Sequence, residues 1–301
     1  MLSQPDITVA VPTYRREAVL VDAIHALLEQ SYQNLELLVV DQSDKHLPET
    51  EKALAAITDS RFRYVRAAPP SLPAARNFCL ENALAPIVLF LDDDIVPSKD
   101  LVKYHLRAFD EHPNVSAVGG RVMQDGFPVK KEVLRFDDYA ISHGVFTATE
   151  PAYTNAFPGG NHSLKVADAL SVGGYDTRYY FNAFREESDM SLKMIRAGMK
   201  IYYEPRAELL HLASHEGGTR AKTYTHIYDS PLFYRNELFF TLRAVAPGKR
   251  LTALRKKYHE YCLSVRHSRA HRRRLLFFLG LIGAIWRMNF GHRIVTKEVT
   301  S

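Results

Sequence analysis

The sequence predicts an α/β protein: a three-layer sandwich around a mostly parallel central sheet, with a basic helical appendage at its C-terminal end. Two observations predict the sandwich. Short β-rich apolar runs alternate with helical periodicities along residues 7–91, the pattern of a parallel sheet with helices on its faces. The runs are continuous rather than alternating, as in strands buried on both sides. The appendage rests on charge. Residues 243–301 hold 14 Lys/Arg against 2 Asp/Glu, a net +12, whereas residues 1–242 hold 25 against 32, a net −7. The split divides an acidic body, 1–242, from a basic region, 243–301.

Taken in order, residues 7–11 form a strand stopped by Pro12, and Val19, Ala23, Leu27 and Leu28 give 18–30 a helical period. Residues 35–40 are a second strand, ending at Asp41. A helix over 50–57, a strand over 62–65 and a helix over 73–84 lead into a fourth strand, 87–91. A helix over 100–111 and a strand over 115–118 follow. Later come a helix over 188–197, ended by Gly198, and a strand over 200–203 closed by Pro205. Residues 123–158, aromatic and weakly periodic, read as loops and short strands shaping a pocket.

Composition excludes several classes. At 46% hydrophobic and 24% charged the chain is globular rather than disordered. No apolar stretch reaches the roughly 18–20 residues of a membrane span. Residues 1–14 lack the basic and apolar regions of a signal peptide, so a cytoplasmic location is expected. Cys79 and Cys262 form neither a disulfide framework nor a metal-ligand spacing, which suits a reducing compartment. No nucleic-acid recognition motif accompanies the basic region, and nucleic acid is not an expected partner. Instead, twelve apolar residues, 275–286, lie between Arg272-Arg273-Arg274 and Arg287. They are too few to span a bilayer but suit its interface. Peripheral contact with the cytoplasmic face of a membrane through 271–290 is one expectation; a buried helix with a solvated basic face is the other.

The chemistry centres on residues 86–98, where the apolar run 87–91 drives into Asp92, Asp93 and Asp94. Adjacent carboxylates disfavour one another's ionisation. The carboxyl ends of strands in open α/β sheets are where ligands bind, and a divalent cation with oxygen ligands would compensate the charge. A solvated acidic turn is the plain alternative.

Eight separated pieces extend this reading: residues 9–14 (VAVPTY), 38–41 (LVVD), 75–77 (ARN), 90–94 (FLDDD), 159–161 (GGN), 172–175 (VGGY), 186–190 (EESDM), and Glu204-Pro205 with His211. In this order and spacing, over about residues 7–240, the chain resembles the family 2 glycosyltransferases. The resemblance implies a GT-A fold and an inverting transfer of sugar from a nucleotide-sugar donor, UDP- or dTDP-linked by preference. The implied acceptor is a glycan or a lipid-linked molecule, and the implied setting is cell-surface polysaccharide or glycolipid synthesis. It further implies that Pro12, Thr13, Tyr14, Asp41 and Gln42 hold the nucleoside. An Asp or Gln side chain suits the N3–H and carbonyls of uracil or thymine, although relatives often carry a second Asp where this chain has Gln42.

By the same resemblance Arg76 and Asn77 serve the nucleotide-sugar donor, Arg76 by neutralising diphosphate oxygens or by pairing with the Asp cluster, and Arg220 in the loop 215–220 reaches the diphosphate; an Arg76 on the helix surface is the plain alternative. Asp92, Asp93 and Asp94 resemble the DXD motif, with Asp94 the metal ligand, Asp92 a second ligand or ribose contact, and Asp93 a donor contact of unsettled role. His211 would complete the metal set, with His215 a weaker alternative, and an imidazole ligand favours Mn²⁺ over Mg²⁺. Glu187 takes the position of the base that deprotonates the acceptor, and Asn161, Glu186 and Asp189 stand near sugar or acceptor. The plain alternative for the acidic trio 186, 187 and 189 is complementing a helix dipole. Two other classes fit in part. A nucleotidyltransferase would want a glycine in the first strand–helix turn, where residues 12–16 have none. A catalytically inactive carbohydrate-binding relative would not need Asp92, Asp94, Glu187 and His211 intact.

Overall fold

The computed structural model describes residues 4–179, 183–214, 216–218, 227–263 and 267–290. Its first half follows the predicted alternation. Strands β1 (Ile7–Thr13), β2 (Leu35–Asp41), β3 (Phe62–Arg66) and β4 (Ile87–Leu91) pair in parallel in the order β3–β2–β1–β4, joined by helices α1 (Ala18–Leu28), α2 (Pro48–Ala55) and α3 (Leu72–Asn82). Alternate residues of β1 feed opposite layers. Ile7, Val9 and Val11 pack with Leu20, Ile24 and Leu27 of α1, whereas Ala10 packs with Ala75, Cys79 and Leu80 of α3. Both faces are therefore covered, which is why the strands read as unbroken apolar runs.

Past β4 the sheet stops being purely parallel. In chain order come β5 (Ile95–Pro97), α4 (Leu101–Glu111), β6 (Val115–Met123), the short β7 (Arg135–Phe136) and β8 (Ser142–His143), and β9 (Ala152–Thr154). Then follow β10 (Asn161–Lys165), α5 (Val166–Ser171), α6 (Glu186–Arg196) and β11 (Lys200–His211). β10 inserts antiparallel between β4 and β6, and β11 lies parallel to β6, with β9 and β5 antiparallel to it.

Sequence periodicity misses β10 because its buried residues are polar. Asn161, His162 and Ser163 are fully buried, and His105 from α4 bonds both Asn161 (2.8 Å) and Ser163 (2.9 Å). Burial lowers the His105 pKa to about 4, so the ring is a neutral partner. A second departure concerns Pro205. It does not close the last strand: a register shift between Glu204 and Glu208 absorbs it, and β11 runs on to His211. That extension carries the histidine to the sheet end where the carboxylates lie.

The C-terminal helices are α7 (Pro231–Ala244), α8 (Arg250–Tyr258) and α9 (His267–Phe290). The expected boundary at 242/243 falls inside α7. Phe233, Phe239, Ala253, Phe277 and Ala284 from these helices share one buried cluster with Phe136, Ala156 and Tyr179, so the basic region packs onto the body. Part of its charge is internal. Glu237, fully buried on α7, accepts from Arg185 Nε at 2.6 Å and pairs with Lys257 Nζ of α8 at 2.5 Å. Arg185 immediately precedes α6, in the left-handed region at φ 75°. The pair of cations thus fixes the entry to α6 from the C-terminal helices.

Replacing Glu237 by Gln leaves two largely buried cations with no countercharge, a loss expected at about 3–5 kcal/mol in urea unfolding. Burial raises the Glu237 pKa, but Arg185 and Lys257 bring it down to about 2. A carboxyl depressed in the folded state stabilises above its unfolded pKa. Its contribution should therefore be intact above pH 4.5 and decline as pH falls towards 2, a slope the E237Q variant should lack.

Candidate active site

The three adjacent carboxylates meet different fates at the end of β4. Asp93 turns inward, where its Oδ2 accepts from the Thr13 hydroxyl (2.7 Å) and its Oδ1 from Arg16 Nε (2.9 Å). Burial pushes its pKa up to about 6 in spite of both partners. Asp94, also buried, receives Arg16 Nη2 (3.0 Å) and the Ser214 N–H (2.8 Å) on Oδ2. Burial raises its pKa too, but His211, Arg16 and the Ser214 amide hold it below the ordinary carboxylate range. The Asp92 side chain alone points outward, 38% exposed. Arg16 also bonds the Ser214 and Glu216 carbonyls, so one guanidinium ties the turn after β1, the end of β4 and the segment after β11. Sequence inspection did not single it out, although a second Arg in the first strand–helix turn, opposite three Asp, was a usable signal.

Register brings His211 to the same place. β11 pairs with β5 so that His211 lies opposite Ile95, next to Asp94. Its Nε2 is 3.2 Å from Asp94 Oδ1 and 3.8 Å from Asp92 Oδ2, and its Nδ1 is 2.8 Å from Gln124 Oε1. An amide oxygen only accepts, so Nδ1 donates to Gln124; Nε2 faces the two carboxylates, as a donor in the imidazolium and as a lone pair in the neutral ring. Asp94 Oδ1 is buried and makes no hydrogen bond. Asp92, Asp94 and His211 thus turn metal-ligating atoms towards one point. A histidine bound through Nε2 and oriented by a hydrogen bond at Nδ1 is the usual arrangement at metal sites. One atom each from Asp92, Asp94 and His211 lies within 4.8 Å of the others, and this donor set fits a divalent ion.

The glycines before β10 separate these carboxylates from α6. Asn161 pairs with Leu91, which lays Gly160 against Asp92; a Cβ on Gly160 would lie 2.2 Å from Asp92 Oδ2. A Cβ on Gly159 would lie 3.6 Å from Glu187 Cγ and 3.7 Å from Arg76 Nη2. Two consecutive residues without side chains therefore border Asp92 on one hand and Glu187 on the other. Glu187 is partly exposed at the start of α6, and its Oε1 accepts from Ser188 Oγ at 2.9 Å.

Several predicted residues prove to be supports. Arg76 is buried, ion-paired with Glu186, donates to the Gly159 carbonyl (2.7 Å) and stacks over Phe90 and Tyr175. It shapes the glycine turn rather than facing solvent. Asn77 brackets Tyr175, accepting from its N–H (2.7 Å) and donating to its carbonyl (2.9 Å). Asn161 donates to the Arg121 and Ala207 carbonyls (3.0 and 2.9 Å), and Asp189 is held by Arg243 (2.9 Å). Asn161, Glu186 and Asp189 are all buried, so none offers a side chain to a sugar in this arrangement. Asp41 is likewise enclosed by the Ser43 N–H, His46 and Tyr64, whose bonds outweigh burial and lower its pKa. Gln42 spans Pro69 and Ser71. Pro12 and Thr13 are buried, and Tyr14 is partly exposed beside the Arg15 guanidinium. His215 and Arg220 lie outside the described residues.

Residues 8–157 match the family model described as "Glycosyl transferase family 2". Among relatives, a Bacillus subtilis glycosyltransferase named for teichuronic acid biosynthesis is 30% identical over 148 residues, covering 45% of this chain and 57% of its own. The glucosyl-dolichyl phosphate glucuronosyltransferase of Haloferax volcanii is 26% identical over 177 residues, covering 57% and 56%. The chain thus spans little more than half the length of these relatives, and only 18% of a matching Rickettsia felis glycosyltransferase. Among solved structures, the Pyrobaculum calidifontis mannosyltransferase PcManGT, in complex with GDP-Man and Mn²⁺, superposes with a TM-score of 0.60 at 19% identity. The match covers 96% of this chain and 77% of that one, a likeness of fold.

Replacing Arg16 by Met strips two buried carboxylates of their shared cation. The expected loss is about 3–5 kcal/mol of unfolding free energy by urea titration, with part returned when D93N is added. A loss below about 1 kcal/mol would show that another group compensates them.

Proposed function

Because the chain belongs to glycosyl transferase family 2, we propose that it transfers a sugar, with inversion, from a nucleoside-diphosphate donor to a hydroxyl of a glycan or lipid-linked acceptor. The sheet and its helices have the GT-A architecture, and relatives named for polysaccharide and lipid-linked glycan synthesis support a role in cell-surface polysaccharide or glycolipid assembly. The observation that carries the reading is the meeting of Asp92, Asp94 and His211 at the sheet end, one glycine turn away from Glu187.

Asp94, Asp92 and His211 would hold a divalent ion, Mn²⁺ in preference to Mg²⁺ given the imidazole. When bound, such an ion offsets the charge that develops on a departing diphosphate. The chain's own residues do the rest. Arg16 pairs with Asp93 and with one oxygen of Asp94, and the Thr13 hydroxyl donates to Asp93, which leaves Asp94 Oδ1 and the Asp92 carboxylate for the ligand. Gly159 and Gly160 leave room for the anomeric carbon between the cluster and Glu187. There Glu187 takes the proton of the attacking hydroxyl while the new C–O bond forms and the bond to the diphosphate breaks. The nucleoside lies across the ends of β1 and β2, where Tyr14 is open and Asp41 and Gln42 brace the wall. UDP and dTDP are the favoured donors, and binding of a panel of UDP-, dTDP- and GDP-sugars in the presence of Mn²⁺ tests that choice.

Two variants separate the roles. D94A should abolish Mn²⁺-dependent donor binding in calorimetry, and undiminished affinity would remove the metal assignment. E187Q should bind donor as the parent does while turnover drops by about 10² or more; near-normal turnover would remove Glu187 as the base.

A further inference from the structure

We propose that the outer face of α9 docks on an anionic lipid bilayer, the helix lying flat in the headgroup region. The structure divides α9 into two faces. Phe277, Gly280, Ala284 and Arg287 turn inward onto α7: a Cβ on Gly280 would lie 2.5 Å from the Tyr234 Cβ, and Arg287 donates to Asn236 Oδ1 at 3.0 Å. Leu275, Phe278, Leu279, Ile282, Ile285 and Trp286 turn outward and are 48–66% exposed. Steps of three and four residues place all six on one stripe, about three turns long. A monomer seldom leaves so many large apolar side chains together in water.

Charge selects the occupant. Residues 261–297 contain eight Lys/Arg and no Asp or Glu; Arg273 and Arg287 are buried, and Arg272 is the arginine that α9 exposes among the residues whose burial is described. Exposed Arg272 stands three and seven residues before Leu275 and Leu279, on the same face. A second copy paired by two-fold symmetry would set this acid-free face against itself, arginine against arginine. Lipid phosphates supply the missing anions, and a tryptophan at the end of the stripe suits the interface. Among the described residues no helix is long and apolar enough to cross a membrane, which leaves the surface.

Trp286 is the sole tryptophan of the chain, so emission excited where tyrosine does not absorb reports on this face alone. With phosphatidylcholine vesicles containing about 30 mol% phosphatidylserine, its emission should shift to the blue and be quenched by lipids brominated on the acyl chain. Pure phosphatidylcholine should give neither change. The L279S/I282S variant, with parental circular dichroism, should partition at least about tenfold more weakly. The proposal is overturned by an unshifted emission with both vesicles, by equal binding to neutral lipid, or by a lipid-free emission that changes with protein concentration, the mark of a second copy on the stripe.

Discussion

The structure depends first on how three neighbouring carboxylates are kept at one strand end. Left to themselves they would repel and protonate. Arg16 resolves this by giving Nε to Asp93 and Nη2 to Asp94, and the Thr13 hydroxyl takes the other Asp93 oxygen. Asp93 becomes part of the scaffold, Asp94 is compensated through one oxygen, and Asp92 is left facing out. Because Arg16 also holds the carbonyls of Ser214 and Glu216, the same guanidinium pins the segment that follows His211. Charge balance and chain topology are thus one constraint.

The extent to which this could be read from sequence follows the same physics. The β-α alternation over residues 7–91 was legible because β1, β2 and β4 are largely apolar on both faces. So was the Asp cluster, since unbalanced charge after a buried run needs a partner. β10 was not, because Asn161, His162 and Ser163 are satisfied by side-chain bonds to His105, the Pro158 carbonyl and the Tyr175 hydroxyl, and polarity masked the burial. The run of β11 past Pro205 was hidden by a bulge that no periodicity announces. Sequence could place Arg76, Asn77, Asn161, Glu186 and Asp189 near the site, but which atoms they bond depends on partners far along the chain, 98 residues away for Asn77 and Tyr175.

The C-terminal helices show why net charge is a poor guide to exposure. The basic region looked like a tail, yet Lys257 and Arg287 are almost wholly buried. Lys257 and Arg185 converge on Glu237, and the stacking of Arg185 over Phe136, Phe184 and Phe240 fills the space around that pairing. A left-handed residue at the N-terminus of α6 is strained for a side chain as large as arginine. The ion pair and the aromatic rings hold it in that conformation.

This strain has a geometric consequence for Glu187. A helix entered through a left-handed residue can begin abruptly, with its first turn set against the glycine turn at 159–160. The Arg76–Glu186 pair fixes that turn from within, bonding the Gly159 carbonyl while its partner carboxylate occupies the first position of α6. Glu186 is therefore consumed by the fold, and its neighbour is the one left to face outward. Adjacent glutamates of identical chemistry acquire different capacities from position alone, as the adjacent aspartates do at the end of β4. In both pairs the buried member anchors the backbone that aims the exposed one, and Gly159-Gly160 is the shared boundary between them.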